Sequence, residues 1–381
     1  MAWANSVAIT VDHTKVPSTQ TNFPVLFTGI YPQLAWTAFG GAVTSSSGFD
    51  IIFASDSAGA SPLSFERVQW IRQTGACEFC IKIPSLSSST DTTFYILFGN
   101  AAVTTEQATP AAVWDSNFKG VWHVAATYGM SVTDSTANAN SGIAGNNGVS
   151  LPSIALGKFG RAGSFNTSQA IYLPPMGLST NFTISAWINP VVSGSSMSIF
   201  AGASNQTVQF RWNGALLQLQ LIKQQIANIA TSTGTWSANT WMLAVLTYDS
   251  SGVAAFYING AAAGGATSLQ TFTAPNMYIG YSSNSGENFN GVVDEVRVST
   301  SLRSASWITT EYNNGNSPST FYSTSLTTSS PSNPWGPFFT APNLPTPMSD
   351  AGRSAKHQPV KAPSPAVVTG GGGSANYGYT A

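Results

Sequence analysis

Phe182-Thr183-Ile184-Ser185-Ala186-Trp187-Ile188 decides how this chain is read. Apolar and small polar side chains alternate along it with a period of two, the pattern of a strand with one buried face. The pattern recurs on the C-terminal side. Val208-Gln209-Phe210-Arg211-Trp212 and Leu217-Gln218-Leu219-Gln220-Leu221 alternate in the same way, and Asn213-Gly214 between them signals a tight turn. Residues 241–248 read as a buried strand, and residues 255–258 run into Asn259-Gly260, a hairpin cue. Residues 278–281 and 291–298 complete the set. Only residues 304–313 have helical character, with Ser304 placed to cap the helix and Asn313-Asn314-Gly315 placed to end it.

Upstream, residues 7–11, 22–27, 49–54, 79–83 and 93–98 are further strand-like runs, separated by Gly, Pro and Ser clusters. No stretch there keeps a helical period over three turns. The passage 110–123 carries Trp114, Phe118 and Trp122, too aromatic for a loose linker, which predicts a packed junction. Downstream of 324 the chain turns Ser/Thr/Pro-rich and then Gly-rich, a composition that cannot bury a core of its own. The expected fold class is therefore all-β: two β-sandwiches in tandem, 1–118 and 119–324, and an extended C-terminal arm, 325–381.

Composition narrows the function. The 381 residues suit two domains plus an extension. Only 8% are charged, against roughly 25% in an average soluble domain. The 14 basic and 15 acidic side chains give a net charge of -1, so no basic surplus exists to displace phosphate counterions, and nucleic acid is not an expected partner. No run approaches the ~18 apolar residues of a membrane span. Met1-Ala2-Trp3-Ala4-Asn5 lacks the basic and apolar regions of an export signal. Surface-type composition without such a signal suits a virion protein, which is made in the cytoplasm and leaves by lysis.

A resemblance joins these observations. Asp134-Ser135-Thr136-Ala137-Asn138, Gly160-Arg161-Ala162-Gly163-Ser164-Phe165, the 182–188 strand, Tyr257-Ile258-Asn259-Gly260 and Gly291-Val292-Val293-Asp294-Glu295-Val296-Arg297 follow in an order and spacing that resembles a laminin-G-like, concanavalin A-like jellyroll. Segment 7–118 looks like the uncharacterised β-domain that often precedes this jellyroll in bacterial surface and phage proteins. Its marks are Asn22-Phe23-Pro24-Val25, residues 48–53, Phe98-Gly99-Asn100 and Val113-Trp114-Asp115, with Cys80 standing where an aromatic is commoner. The resemblance covers all but the tail.

Jellyroll enzymes that cut β-glucans carry Glu-x-Asp-x-x-Glu on one strand, and this chain does not. Its nearest equivalent is Asp294-Glu295, whose adjacency places the two carboxylates on opposite faces of a regular strand. His13 lies in a polar turn, His357 in the tail, and His123 beside Trp122 reads as a packed core histidine rather than a base. Cys77 and Cys80, three apart on a strand, point to opposite faces and should not meet. The sequence predicts no catalytic residue.

Binding residues are easier to nominate. The resemblance implies one structural calcium ion between the early loop, at Asp134, and the late strand, at Asp294; the alternative is an Asx turn at Asp134 and a hydrogen-bond network at Asp294. Trp212, Trp236 and Asn213 are candidates for stacking on and bonding to a glycan, with Gln209 and Trp241 nearby; filling the core is the alternative. Trp335, Phe338, Phe339, Tyr377 and Tyr379 in the tail are candidate assembly contacts with capsid or fibre proteins, or with copies of the same chain. The resulting expectation is a non-enzymatic, virion- or surface-associated structural and adhesion protein, with cell-surface glycans as ligands. A secreted lectin module is the first alternative, and a glycoside hydrolase or lyase of the concanavalin A-like class is the second.

Overall fold

The alternating segments are strands, and they stack in four sheets. A computed structural model describes residues 3–124, 132–143, 150–191, 194–273, 275–282 and 287–328, all within one unit, Met1–Pro337. The tail aromatics Trp335, Phe338, Phe339, Tyr377 and Tyr379 lie outside the described residues.

The N-terminal strands are β1 (Asn5–Val11), β2 (Gln20–Ile30), β3 (Ile51–Ala54), β4 (Phe65–Ile71), β5 (Ala76–Leu86) and β6 (Thr92–Phe98). A short helix α1 (Pro110–Val113) leads to β7 (Phe118–Trp122), β8 (Ser153–Leu156), β9 (Arg161–Asn166), β10 (Ile171–Leu173), β11 (Phe182–Pro190), β12 (Ser196–Gly202) and β13 (Val208–Asn213). Then come β14 (Gln218–Lys223), β15 (Ala227–Thr231), β16 (Met242–Tyr248), β17 (Val253–Ile258), β18 (Ala261–Thr267), β19 (Met277–Ile279) and β20 (Asn290–Ser299). Helices α2 (Ala305–Asn316) and α3 (Pro318–Phe321) precede a last strand, β21 (Tyr322–Thr324).

The outermost N-terminal sheet runs β21-β1-β6-β3, and the three-stranded sheet β2-β5-β4 lies against it. Phe53 touches Phe27, Phe65 and Phe79 across this first core, at centroid distances of 6.0, 5.3 and 5.3 Å. β21 arrives from far along the chain and pairs Thr324, Ser323 and Tyr322 with Ile9, Thr10 and Val11. The N-terminal sandwich is thus edged by residues outside 1–118. The third sheet orders β18-β17-β16-β11-β20-β9-β8, with β7 also on β20, and the fourth orders β10-β19-β12-β13-β14-β15.

Period-two alternation explains the stack. On β11 and β16, Ile184, Ala186, Ile188, Ala244 and Leu246 face the fourth sheet and build the jellyroll core with Phe210, Trp212 and Leu219. Their neighbours Trp187, Leu243 and Val245 face the other way and pack with Phe23, Leu26 and Ile83 of the N-terminal sandwich. The third sheet is therefore buried on both faces. The aromatic junction sits in this shared core: Trp114 and Phe118 pack edge to face at 5.2 Å. Trp122, one face over, belongs to the jellyroll core.

The turns follow their chemistry. Asn259 and Gly260, at φ +52° and +77°, form the two-residue connection between β17 and β18. Ser304 accepts a hydrogen bond from the Trp307 amide at 3.1 Å and starts α2 as expected. The helix runs on to Asn316, past the Asn313-Asn314-Gly315 stop. Gly315 serves closeness instead: a Cβ there would sit 2.9 Å from Phe159 and 3.0 Å from Trp187. Asn314 reaches the free edge of β2, accepting from the Leu26 amide at 2.7 Å and donating to its carbonyl at 2.9 Å.

Candidate functional site

The seam between the three-stranded and eight-stranded sheets holds an unusual concentration of charge. β4 and β5 present Glu66 and Glu78, and β20 presents Glu295 and Arg297. His123 follows directly on β7, and Glu311 comes from α2. The residues Glu66, Glu78, His123, Asp294, Glu295 and Arg297 are all between 1 and 8% exposed, in a chain with few charges to spare.

A bulge in β20 creates part of this cluster. Ser185 pairs with Arg297 and Trp187 with Asp294, so Ala186 alone opposes both Glu295 and Val296. Val293 and Val296 both enter the jellyroll core, which leaves Asp294 and Glu295 together on the seam side. This corrects the expectation from strict alternation that they face opposite ways. Glu295 has φ +52°, a left-handed backbone that a non-glycine residue holds at a cost of roughly 1 kcal/mol or more.

The partners can be followed atom by atom. The Glu66 carboxylate accepts from Trp114 Nε1 at 2.9 Å and from the Ser135 hydroxyl. His123 Nδ1 contacts Glu295 Oε1, while Nε2 lies 3.3 Å from Glu66 Oε1 without hydrogen-bond geometry. Arg297 donates to Glu295 Oε2 at 2.7 Å and to Glu311 Oε1 at 3.2 Å, and its guanidinium lies 5.1 Å from the Trp114 ring centre. No donor among the described residues reaches the Glu78 carboxylate. His123 therefore proves not to be an ordinary apolar packing residue, because the sandwich it faces supplies carboxylates that its own strand does not reveal.

Electrostatics follow burial and partnership. Burial opposes ionisation of Glu295, but His123 and Arg297 outweigh it and hold the carboxyl down at about 2. Burial likewise pulls the His123 imidazolium down, and Glu295 and Glu66 push it well above the usual histidine range. Glu78 and Asp294 are driven well above the carboxylate range, first by burial and then by the Glu295 charge. Burial also raises both thiols; Cys77 and Cys80 are free.

The nominated binding residues have other duties. Asp134 Oδ1 accepts from the Val121 and Thr136 amides, at 3.0 and 2.9 Å, and Oδ2 accepts from the Asn140 amide and the Thr136 hydroxyl, both at 2.8 Å. Asp294 Oδ2 accepts from the Lys158 and Phe159 amides at 2.9 and 3.1 Å. Asp134 staples its own loop and Asp294 the distant turn between β8 and β9, and neither belongs to the clusters of three or more ligand-type side chains found among the described residues. Trp212 is wholly buried in the jellyroll core, so its ring has no face to offer a sugar. Trp236 packs half-buried against the same core. Asn213 Oδ1 closes its own turn by accepting from the Ala215 and Leu216 amides. Gln209 is buried and bonded to Ser198 and Glu287.

An open groove of about 410 Å³ lies at the end of the seam, where Thr28 and Tyr31, Lys158 and Phe159, and Asn316 and Ser319 converge. Lys158 Nζ stands 4.6 Å from the Trp187 ring centre and donates to Asn316 Oδ1 at 3.2 Å, and burial lowers its pKa. Nothing in the local alternation marked this groove, because its walls come from three distant segments.

Residues 165–309 match the concanavalin A-like lectin/glucanases superfamily. This agrees with the laminin-G-like resemblance and with the jellyroll arrangement of the third and fourth sheets. No curated protein matches the chain. Among solved structures, the chain is similar to domain 4 of the extracellular arabinanase AbnA from Geobacillus stearothermophilus, in complex with arabinotriose (21% identity, 51% of this chain and 97% of that one, TM-score 0.41). It is similar also to the binding domain of Paraclostridial Mosquitocidal Protein 1 (15%, 51% and 52%, 0.43). A third is the botulinum neurotoxin serotype D ligand-binding domain in complex with N-acetylneuraminic acid (15%, 54% and 52%, 0.40). The chain spans about half the length of these two toxin domains.

Proposed function

We propose that the chain is a non-enzymatic adhesion module that binds glycans at a virion or cell surface. One observation carries the non-enzymatic reading: the carboxylates of the late jellyroll strand, Asp294 and Glu295, are each 1% exposed and bonded inward, so they cannot flank a glycosidic bond. The match to a superfamily of lectins and glucanases supports a carbohydrate ligand. The groove suits one, since it combines hydroxyls and an amide with aromatic edges and a single lysine. No helix among the described residues is long and apolar enough to cross a membrane.

A glycan array tests the reading. Micromolar or tighter binding to one glycan class, weakened at least tenfold by Lys158→Ala, is the expected result. Turnover of a bound glycan would replace the reading with the hydrolase alternative. The tail aromatics Trp335, Phe338, Phe339, Tyr377 and Tyr379 are assigned to assembly with capsid or fibre proteins or with other copies. Deleting 329–381 should leave the sandwiches folded and remove the protein from purified particles, as read by mass spectrometry.

A further inference from the structure

We propose that Glu78, His123 and Glu295 form a buried site for one divalent transition-metal ion of the zinc type, at the seam between the two sandwiches. Ligand atoms of these three residues lie within 4.8 Å of one another, and all three are buried. They come from β5, from the residue after β7 and from the β20 bulge, so the site exists only when both sandwiches are in place.

The imidazole supplies the central argument. Carboxylates contact it on both edges, Glu295 at Nδ1 and Glu66 at Nε2. A neutral ring has one N–H and one lone pair, so one of those edges sets a lone pair against a carboxylate. Three arrangements resolve the conflict: a second proton on the ring, a proton on one of the facing carboxyls, or a cation that takes the place of the direct His123–Glu295 contact. Either proton satisfies the ring and leaves Glu78 untouched. Yet Glu78 is 3% exposed, points into the cluster and meets no donor among the described residues. A divalent ion that opens the direct Nδ1–Glu295 contact, through a small shift of that carboxylate, would engage Glu78, His123 Nδ1 and Glu295 together.

Glu66, 3.3 Å from the opposite ring nitrogen and held in turn by Trp114 and Ser135, stands where the outer carboxylate partner of a metal-bound histidine commonly does. The density of carboxyl groups points the same way. Glu66, Glu78, Asp294, Glu295 and Glu311 crowd one seam, and Arg297 is the guanidinium bonded to two of them. A nitrogen donor with carboxylates favours zinc-type ions over calcium, which takes oxygen ligands throughout. The strained backbone at Glu295 puts its side chain on the ligand side of the sheet. Sealed between sheets, the ion would enter as the protein folds and would stabilise the folded state.

The test uses the full chain. Metal content is measured on protein as purified and after unfolding and refolding with chelator, with zinc, or with cobalt(II). One zinc per chain, a visible cobalt band saturating at one equivalent, and a higher melting temperature on refolding with zinc are expected. Glu78→Gln should weaken zinc binding at least about tenfold. His13→Ala, which dismantles the exposed Asp12-His13-Asp91 cluster, should leave binding unchanged. A wild type that refolds with no tightly held ion and no cobalt band overturns the proposal, whatever the variants do. So does binding lost with His13→Ala and kept in Glu78→Gln. A Glu78→Gln protein that melts higher with and without zinc shows that the cluster holds a proton only.

Discussion

The molecule has two large cores that share a sheet, and they are built on different principles. The jellyroll core between the third and fourth sheets is apolar throughout, from Phe182 and Ile184 to Phe210 and Met277. The core on the other face of the third sheet begins the same way, with Trp187, Leu243 and Val245 against Phe23 and Leu26, and then gives way to carboxylates, an imidazole and a guanidinium. The first needs only shape and area to hold. The second needs each charge matched, because an unpaired buried charge costs several kcal/mol while apolar contacts tolerate small misfits. The two sandwiches therefore do not merely sit side by side. Their contact is a folded core with its own electrostatic conditions, so full-length protein should unfold in one transition.

The largest effect should come from separating the two regions. Residues 1–118 alone lack β21, which pairs with Ile9–Val11, and lack α2, whose Trp307 packs 4.8 Å from Phe23. That fragment is expected to be insoluble or unfolded by circular dichroism. The piece 119–328 uncovers Trp187, Leu243 and Val245, each worth roughly 1.5–3 kcal/mol of burial, but keeps its own core and should still fold. A cooperative transition in fragment 1–118 at the full-length melting temperature would break the idea of a shared core.

Next in size is a pair of substitutions, one in each core. Phe210→Ala opens a cavity in the apolar core at a cost of about 3–5 kcal/mol and should lower a single transition. Arg297→Leu leaves Glu295 and Glu311 without their shared cation, a loss of similar size, about 3–5 kcal/mol, but at the seam. Calorimetry should show the N-terminal half melting ahead of the jellyroll in Arg297→Leu. A single lowered transition in both variants would erase the distinction between the cores.

The smallest effect sits at the rim of the seam. Burial would raise the Asp115 carboxyl, but its bonds to Arg303, at 2.8 and 3.1 Å, pull it below the ordinary range. A carboxyl lowered on folding adds stability above its unfolded pKa, near 4, and loses it as pH falls through the folded value. Asp115→Asn should therefore cost a little near pH 7 and nothing near pH 2, as read by urea midpoints. Because the pair keeps some exposure to solvent, its effect should shrink in salt. An equal loss at both pH values would show that the contact is steric.

Much of this architecture was legible along the chain. The alternation at 182–188 and 208–221, the Asn-Gly turn at 259–260 and the Ser304 cap all describe local rules that strands, hairpins and helix starts obey wherever they occur. The aromatic passage around Trp114 and Phe118 was readable as a packed junction for the same reason: such side chains need cover. What the sequence by itself determined was therefore the class of fold, the faces of most strands and the presence of a contact between two sandwiches. Only the tertiary structure decided what that contact contains. A bulge of one residue turned Glu295 to the same side as Asp294, and alternation cannot foresee a bulge. Glu66 and Glu78 lie far from His123 in sequence, and no spacing rule links a carboxylate on one sandwich to an imidazole on another. The fates of Trp212 and the groove at Lys158 were settled likewise, since a ring's free face and a groove's walls depend on which distant segment lies opposite. Local patterns register how a residue meets its own strand, whereas a site is made where separate strands meet each other.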